Sequence, residues 1–73
     1  MKSFIVSEFD GAYECQIDVR EDEGPREAAE SFAAIRPVLP RARGRVVFVR
    51  PIECEVGTYW RVEVVSAYRA RPA

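Results

Sequence analysis

Period-two alternation is the clearest signal along this chain. After Asp10-Gly11, the apolar residues Tyr13, Cys15, Ile17 and Val19 alternate with Glu14, Gln16, Asp18 and Arg20, the pattern of a strand with one buried face. Asp and Gly both tolerate the positive φ of a type I′ turn, so Asp10-Gly11 predicts a tight hairpin. That turn sets a register in which Phe9 faces Ala12, Val6 faces Cys15 and Phe4 faces Ile17. Phe4 and Val6 then share the inward face of the second strand, while Ile5 and Phe9 point the other way.

The period changes after Glu21-Asp22-Glu23-Gly24-Pro25. Proline suits the first turn of a helix, and acids suit its positive end. Ala28, Phe32 and Ile35, extended by Leu39, form one apolar stripe, which predicts a helix over about residues 25–36. Pro37 and Pro40 end it. The β-branched and aromatic run Val46-Val47-Phe48-Val49 predicts a third strand from Arg45 to about Glu53, with Pro51 near its end. A turn around Gly57 leads to a fourth strand, Tyr59 to about Tyr68, in which Trp60, Val62 and Val64 alternate with Tyr59, Arg61 and Glu63. The third strand's register stays open. One loop length puts Phe48, Ile52 and Cys54 on the Trp60 face, and this is the favoured one; the other puts Val47 and Val49 there.

The expected fold is therefore α+β: a ββαββ two-layer sandwich, with a four-stranded antiparallel sheet and one helix on one face. The chain of 73 residues reads as a single domain, 1–73, with residues 69–73 a frayed tail. The helix is expected to cover Phe4, Val6, Cys15, Ile17, Val19, Trp60, Val62 and Val64. The uncovered face keeps Ile5, Phe9, Tyr59 and Val65, a candidate homodimer or partner surface.

Composition narrows the chemistry. With 48% hydrophobic and 32% charged residues the chain is globular and not disordered. It has no histidine and two widely separated cysteines, Cys15 and Cys54, so no metal centre and no cofactor are expected. Both cysteines read as buried free thiols in a reducing compartment, with one disulfide, within the chain or between chains, as the alternative. No phosphate loop, nucleophile elbow or Cys-His pair is present, which argues against an enzyme. No leader or membrane span is expected either, and the predicted location is the cytoplasm.

The net charge of -1 conceals a division. Residues 1–35 hold nine acids and three bases, a balance of -6; residues 36–73 hold eight bases and three acids, a balance of +5. Such asymmetry suggests an electrostatic partner. Glu21, Asp22, Glu23, Glu27 and Glu30 form one acidic cluster, suited either to a basic partner surface or to capping the helix. Arg36, Arg41, Arg43, Arg45 and Arg50 form a basic run that could contact phosphate, with Tyr59, Trp60 and Tyr68 as stacking candidates, although Trp60 fits the core better. A pI near 5.4 argues against direct nucleic-acid binding. A small nucleic-acid-binding or regulatory phage protein using the Arg-rich loop and strand stays as the alternative.

The segment Cys15-Gln16-Ile17-Asp18-Val19-Arg20-Glu21-Asp22-Glu23, followed by Glu27-Ala28-Ala29-Glu30-Ser31-Phe32, resembles a layout common in small phage-encoded proteins. There an alternating strand ends in acids and runs into a helix. With the chain length and the Arg/Ala-rich composition, it resembles phage anti-CRISPR proteins that inhibit type I surveillance complexes. The resemblance implies a non-enzymatic inhibitor in the cytoplasm of a bacterial host. It would bind a Cas subunit of a type I Cascade complex and block target-DNA engagement. No functional residue carries over from it.

Overall fold

The fold is given by a computed structural model, which describes residues 1–10, 13–35, 45–64 and 68–73, the side chains of Asp10, Cys15 and Val64 excepted. The elements in chain order are β1 (Lys2–Asp10), β2 (Tyr13–Asp22), α1 (Pro25–Ile35), β3 (Arg45–Pro51), β4 (Thr58–Val64) and β5 (Tyr68–Pro72). The molecule is α+β, with one helix among the described residues packed on an antiparallel sheet of order β2-β1-β3-β4-β5. The expected four strands are corrected to five among the described residues. The predicted frayed tail pairs with β4 through Val62↔Ala70 and Trp60↔Pro72. The apolar alternation that predicted one strand up to Tyr68 belongs to two, β4 and β5. Val65 lies outside the described residues.

β1 and β3 pair antiparallel, so β2 and β3 run the same way on either side of β1. A connection between such strands must cross the sheet, and α1 lies in the segment that makes it. The core forms on the helix side, from Phe4, Val6, Val47, Val49, Trp60, Val62 and Ala70 against Ala28, Ala29, Phe32 and Ala33. Three alanines let the helix approach the sheet closely, and Phe32 fills the centre. Trp60 is in the core as expected. Its indole N–H donates to Thr58 Oγ1 at 2.7 Å, which satisfies the one polar atom of the ring. The buried stripe includes Ala29 and Ala33 in place of Ile35, which is 51% exposed; Leu39 lies outside the described residues.

Two registers differ from expectation. In the third strand, Val47 opposes Trp60, so Val47 and Val49 face the helix and Phe48 faces away beside Tyr59. β3 stops at Pro51, which leaves Ile52 and Cys54 exposed in the loop before β4. Cys54 is a free, exposed thiol and not a buried one.

The hairpin differs more deeply. Asp10 pairs with Tyr13 and Phe9 with Glu14, but Glu8 pairs with Gln16, so Cys15 is an extra residue in a β-bulge. Beyond the bulge Phe4 opposes Arg20 and Val6 opposes Asp18, instead of Ile17 and Cys15. The change of turn alone would have moved partners by two residues and kept the faces. The bulge adds one more residue and inverts them. Ile17 and Val19, expected under the helix, are on the uncovered face.

Candidate functional site

The inversion of β2 gives each face of the sheet its chemistry. On the helix side β2 presents polar side chains. The Ser31 hydroxyl donates to Asp22 Oδ2 at 2.6 Å and accepts from Arg20 Nε at 3.3 Å, which ties the helix to the sheet edge. Gln16 Nε2 donates to Glu8 Oε1 at 3.0 Å. Glu8 is itself buried and receives Arg45 through two bonds, Nε to Oε2 at 2.7 Å and Nη2 to Oε1 at 2.5 Å. Arg45 Nη1 then donates to the Ala33 carbonyl at 3.1 Å, near the end of α1, and the guanidinium lies 5.6 Å from the centre of the Phe32 ring. Sequence reading did not anticipate this ion pair, because Glu8 and Arg45 are 37 positions apart. The one local hint was a charged Glu8 at a position the alternation of Phe4 and Val6 assigns to the inside.

The acidic cluster divides between packing and surface. Asp22 holds Ser31, and Glu30 Oε2 accepts the Ala70 amide of β5 at 2.8 Å. Glu21, Glu23 and Glu27 are exposed. Glu27 reaches back over Gly24, whose position for a side chain its carboxylate fills; this favours the capping role at the start of α1. A cleft of about 330 Å³ opens between the helix start and the β3–β4 loop, lined mainly by Phe4, Pro25, Val49 and Val56, with Lys2 and Glu23 at its rim.

Of the basic run, Arg45 and Arg50 are among the described residues. Arg36, Arg41 and Arg43 lie outside the described residues. Arg45, expected as an anion contact, is 3% exposed and engaged by Glu8, so it cannot meet phosphate. Arg50 donates to the Cys54 carbonyl at 3.0 Å and bridges the loop.

The uncovered face is the largest assembled feature. At its β2 end Ile5 opposes Val19 and Ser7 opposes Ile17, with Ile17 55% and Val19 51% exposed. Glu21, opposite Ser3, and Glu14, opposite Phe9, give that strip an acidic border. At the other end the Phe48 and Tyr59 rings pack at a tilt of 54° with centroids 4.8 Å apart, with the Phe9 ring 6.4 Å from Tyr59, and Arg61, Arg69 and Arg71 follow on β4 and β5. Of the expected partner face, Ile5, Phe9 and Tyr59 are therefore on one surface, and Ile17, Val19 and Phe48 join them.

No family model, curated protein or solved structure matches the chain. The surface itself therefore has to carry any functional reading. Among the described residues, no helix is long and apolar enough to cross a membrane.

Proposed function

We propose that this chain is a non-enzymatic binding protein that seats a partner protein on the β2 end of its uncovered sheet face. The observation that carries the reading is the strip Ile5, Ile17 and Val19, which the protein's own helix does not cover. Isolated exposed aliphatics need no explanation, but a contiguous strip on one sheet face is the usual mark of an interface. Its border, Glu14 and Glu21, selects a partner with an apolar centre and basic surroundings. A second copy of the chain fits less well, since symmetric pairing over this strip brings Glu14 and Glu21 of two copies together.

The resemblance to anti-CRISPR proteins supplies the partner class: the basic nucleic-acid-binding groove of a Cas subunit in a type I surveillance complex. Occupying that groove would block target-DNA engagement without catalysis. The test is a gel shift of target DNA by purified type I complexes, with and without excess of this protein, paired with copurification. Loss of the DNA shift, restored by the double variant Ile17→Ser/Val19→Ser, supports the reading. An unaltered shift with every such complex tried removes the Cas assignment, and sedimentation as a dimer would transfer the strip to self-association.

A further inference from the structure

The β3–β5 end of the same face carries a feature that the protein partner does not use. Arg61 on β4 and Arg71 on β5 are directly opposed, and both are exposed. Like charges in directly opposed positions destabilise a sheet. Among the described residues neither guanidinium has an ion pair or a hydrogen bond that would offset this. Arg69, on the same face, has Glu63 opposite it, so Arg61 and Arg71 are the uncompensated pair.

Aromatic rings stand immediately beside that pair. Tyr59 is two residues before Arg61 on β4 and therefore on the same face, about 7 Å along the strand. It is 52% exposed, and its ring is braced by Phe48 at 4.8 Å and Phe9 at 6.4 Å. A braced, half-exposed ring keeps its orientation and has little side-chain entropy left to lose when a second flat group stacks on it.

We infer that Tyr59, Phe48, Arg61 and Arg71 form a binding site for single-stranded nucleic acid on the open sheet face. Two requirements meet here: cations for the phosphates, and π faces for unstacked bases. Duplex hides its bases from such a platform. An acidic protein segment would satisfy the arginines but leave the rings unused.

The net charge of -1 does not cancel the local field. Four of the acids that balance the arginines, Glu14, Asp18, Glu21 and Asp22, lie on β2, and Glu30, which does reach β5, does so from the helix-covered face. Four strand spacings separate β2 from β5 in the sheet order, which is about 19 Å at ~4.8 Å each. That is about twice the screening length near physiological salt. Glu63 is the acid within the site, and it opposes Arg69 and not the Arg61–Arg71 pair.

The site does not include Arg45, which is buried against Glu8, and of the stacking candidates read from the sequence only Tyr59 belongs to it. Phe48 joins only because Val47 and Val49 point into the core. Arg71 joins only because the expected tail is a strand. The inference is independent of the Cas partner, and its test does not involve one.

The experiment is fluorescence anisotropy of a labelled 12-nucleotide oligothymidine titrated with the full chain at 50–200 mM salt. Saturable binding is expected, with log K falling against log salt by about 0.7 for each phosphate-contacting arginine. Arg61→Gln/Arg71→Gln should remove about 1.4 from that slope. Tyr59→Ala should weaken binding roughly 5- to 150-fold, the worth of one stacked base. The arginine variants alter exposed positions only, so they keep the test valid if Tyr59→Ala proves unstable by circular dichroism. Ile17→Ser/Val19→Ser should leave oligonucleotide binding unchanged. No anisotropy change at 50 mM salt overturns the inference. So does binding indifferent to Arg61→Gln/Arg71→Gln, or equal affinity for a duplex of the same length.

Discussion

Arg45 shows how the same residue type can serve opposite ends. In the sequence it is one of five arginines in a basic run; in the fold it joins β1, β3 and the end of α1 through Glu8 and the Ala33 carbonyl. Every remaining N–H or carboxylate oxygen of such a pair matters, because burying charge costs more than attraction alone returns. Removing one partner leaves a charge unpaired, so Arg45→Ala is expected to destabilise the fold by about 3–5 kcal/mol. A core of this size supplies about that much in total, and urea titration should find the variant largely unfolded. Replacing both partners, Glu8→Leu with Arg45→Met, should recover most of the loss if charge pairing is the cause. Gly57 has a different constraint. A side-chain carbon there would meet the Val49 carbonyl oxygen and the Phe48 ring closer than van der Waals contact allows. Because backbone is on one side, Gly57→Ala should cost about 1–3 kcal/mol, seen as a lower urea midpoint with unchanged slope.

At the scale of the elements, both strands of the first hairpin, the helix and the third strand are legible from residue patterns. Periodicity reports the presence of an element, and it does so well for β2, whose alternation is uninterrupted. It does not report which side faces the core. Here the bulge at Cys15 decides that, and nothing in an unbroken alternation marks where an extra residue is accommodated. Arg20, Asp22 and Ser31 then hold together a strand–helix contact that would otherwise have been aliphatic. β5 was missed because Tyr68-Arg69-Ala70-Arg71-Pro72 has one core residue, Ala70, beside a half-buried Tyr68 and three exposed positions. It is held by β4 and by Glu30, whose carboxylate accepts the Ala70 amide. Glu30→Ala should therefore loosen β5 selectively. A charge-assisted hydrogen bond of this kind contributes about 1.5–3 kcal/mol. Native-state hydrogen exchange should show faster exchange at Ala70, with Val6 and Val49 little changed.

For the molecule as a whole, one helix on a five-stranded sheet covers a single face, and the other face is where function is to be sought. Its two ends differ in chemistry: aliphatic with an acidic border at β2, aromatic and basic from β3 to β5. Ile17, Val19, Tyr59, Arg61 and Arg71 there are exposed, so substitutions at these positions should separate binding from stability. Ile17→Ser/Val19→Ser is expected to change the unfolding free energy by less than about 0.5 kcal/mol, as for other surface changes. The same variant should abolish partner capture. Phe32→Ala, in contrast, empties the centre of the core and should cost about 3–5 kcal/mol, enough to unfold the chain in a thermal melt.

Local residue patterns already specify the α+β class, the helix start at Pro25, the place of Trp60 in the core and the separation of acids from bases along the chain. These follow from local rules: period, helix-end chemistry and composition. Tertiary structure alone decided the strand order, the faces of β2 and β3, the fifth strand and the removal of Arg45 from the surface. Each of those depends on a partner distant in the chain, and the sign of a face depends on counting residues through a bulge. The candidate surface was only half legible for the same reason. Ile5, Phe9 and Tyr59 lay on it from the start, but Ile17, Val19, Phe48 and Arg71 reached it through pairings that no local pattern encodes.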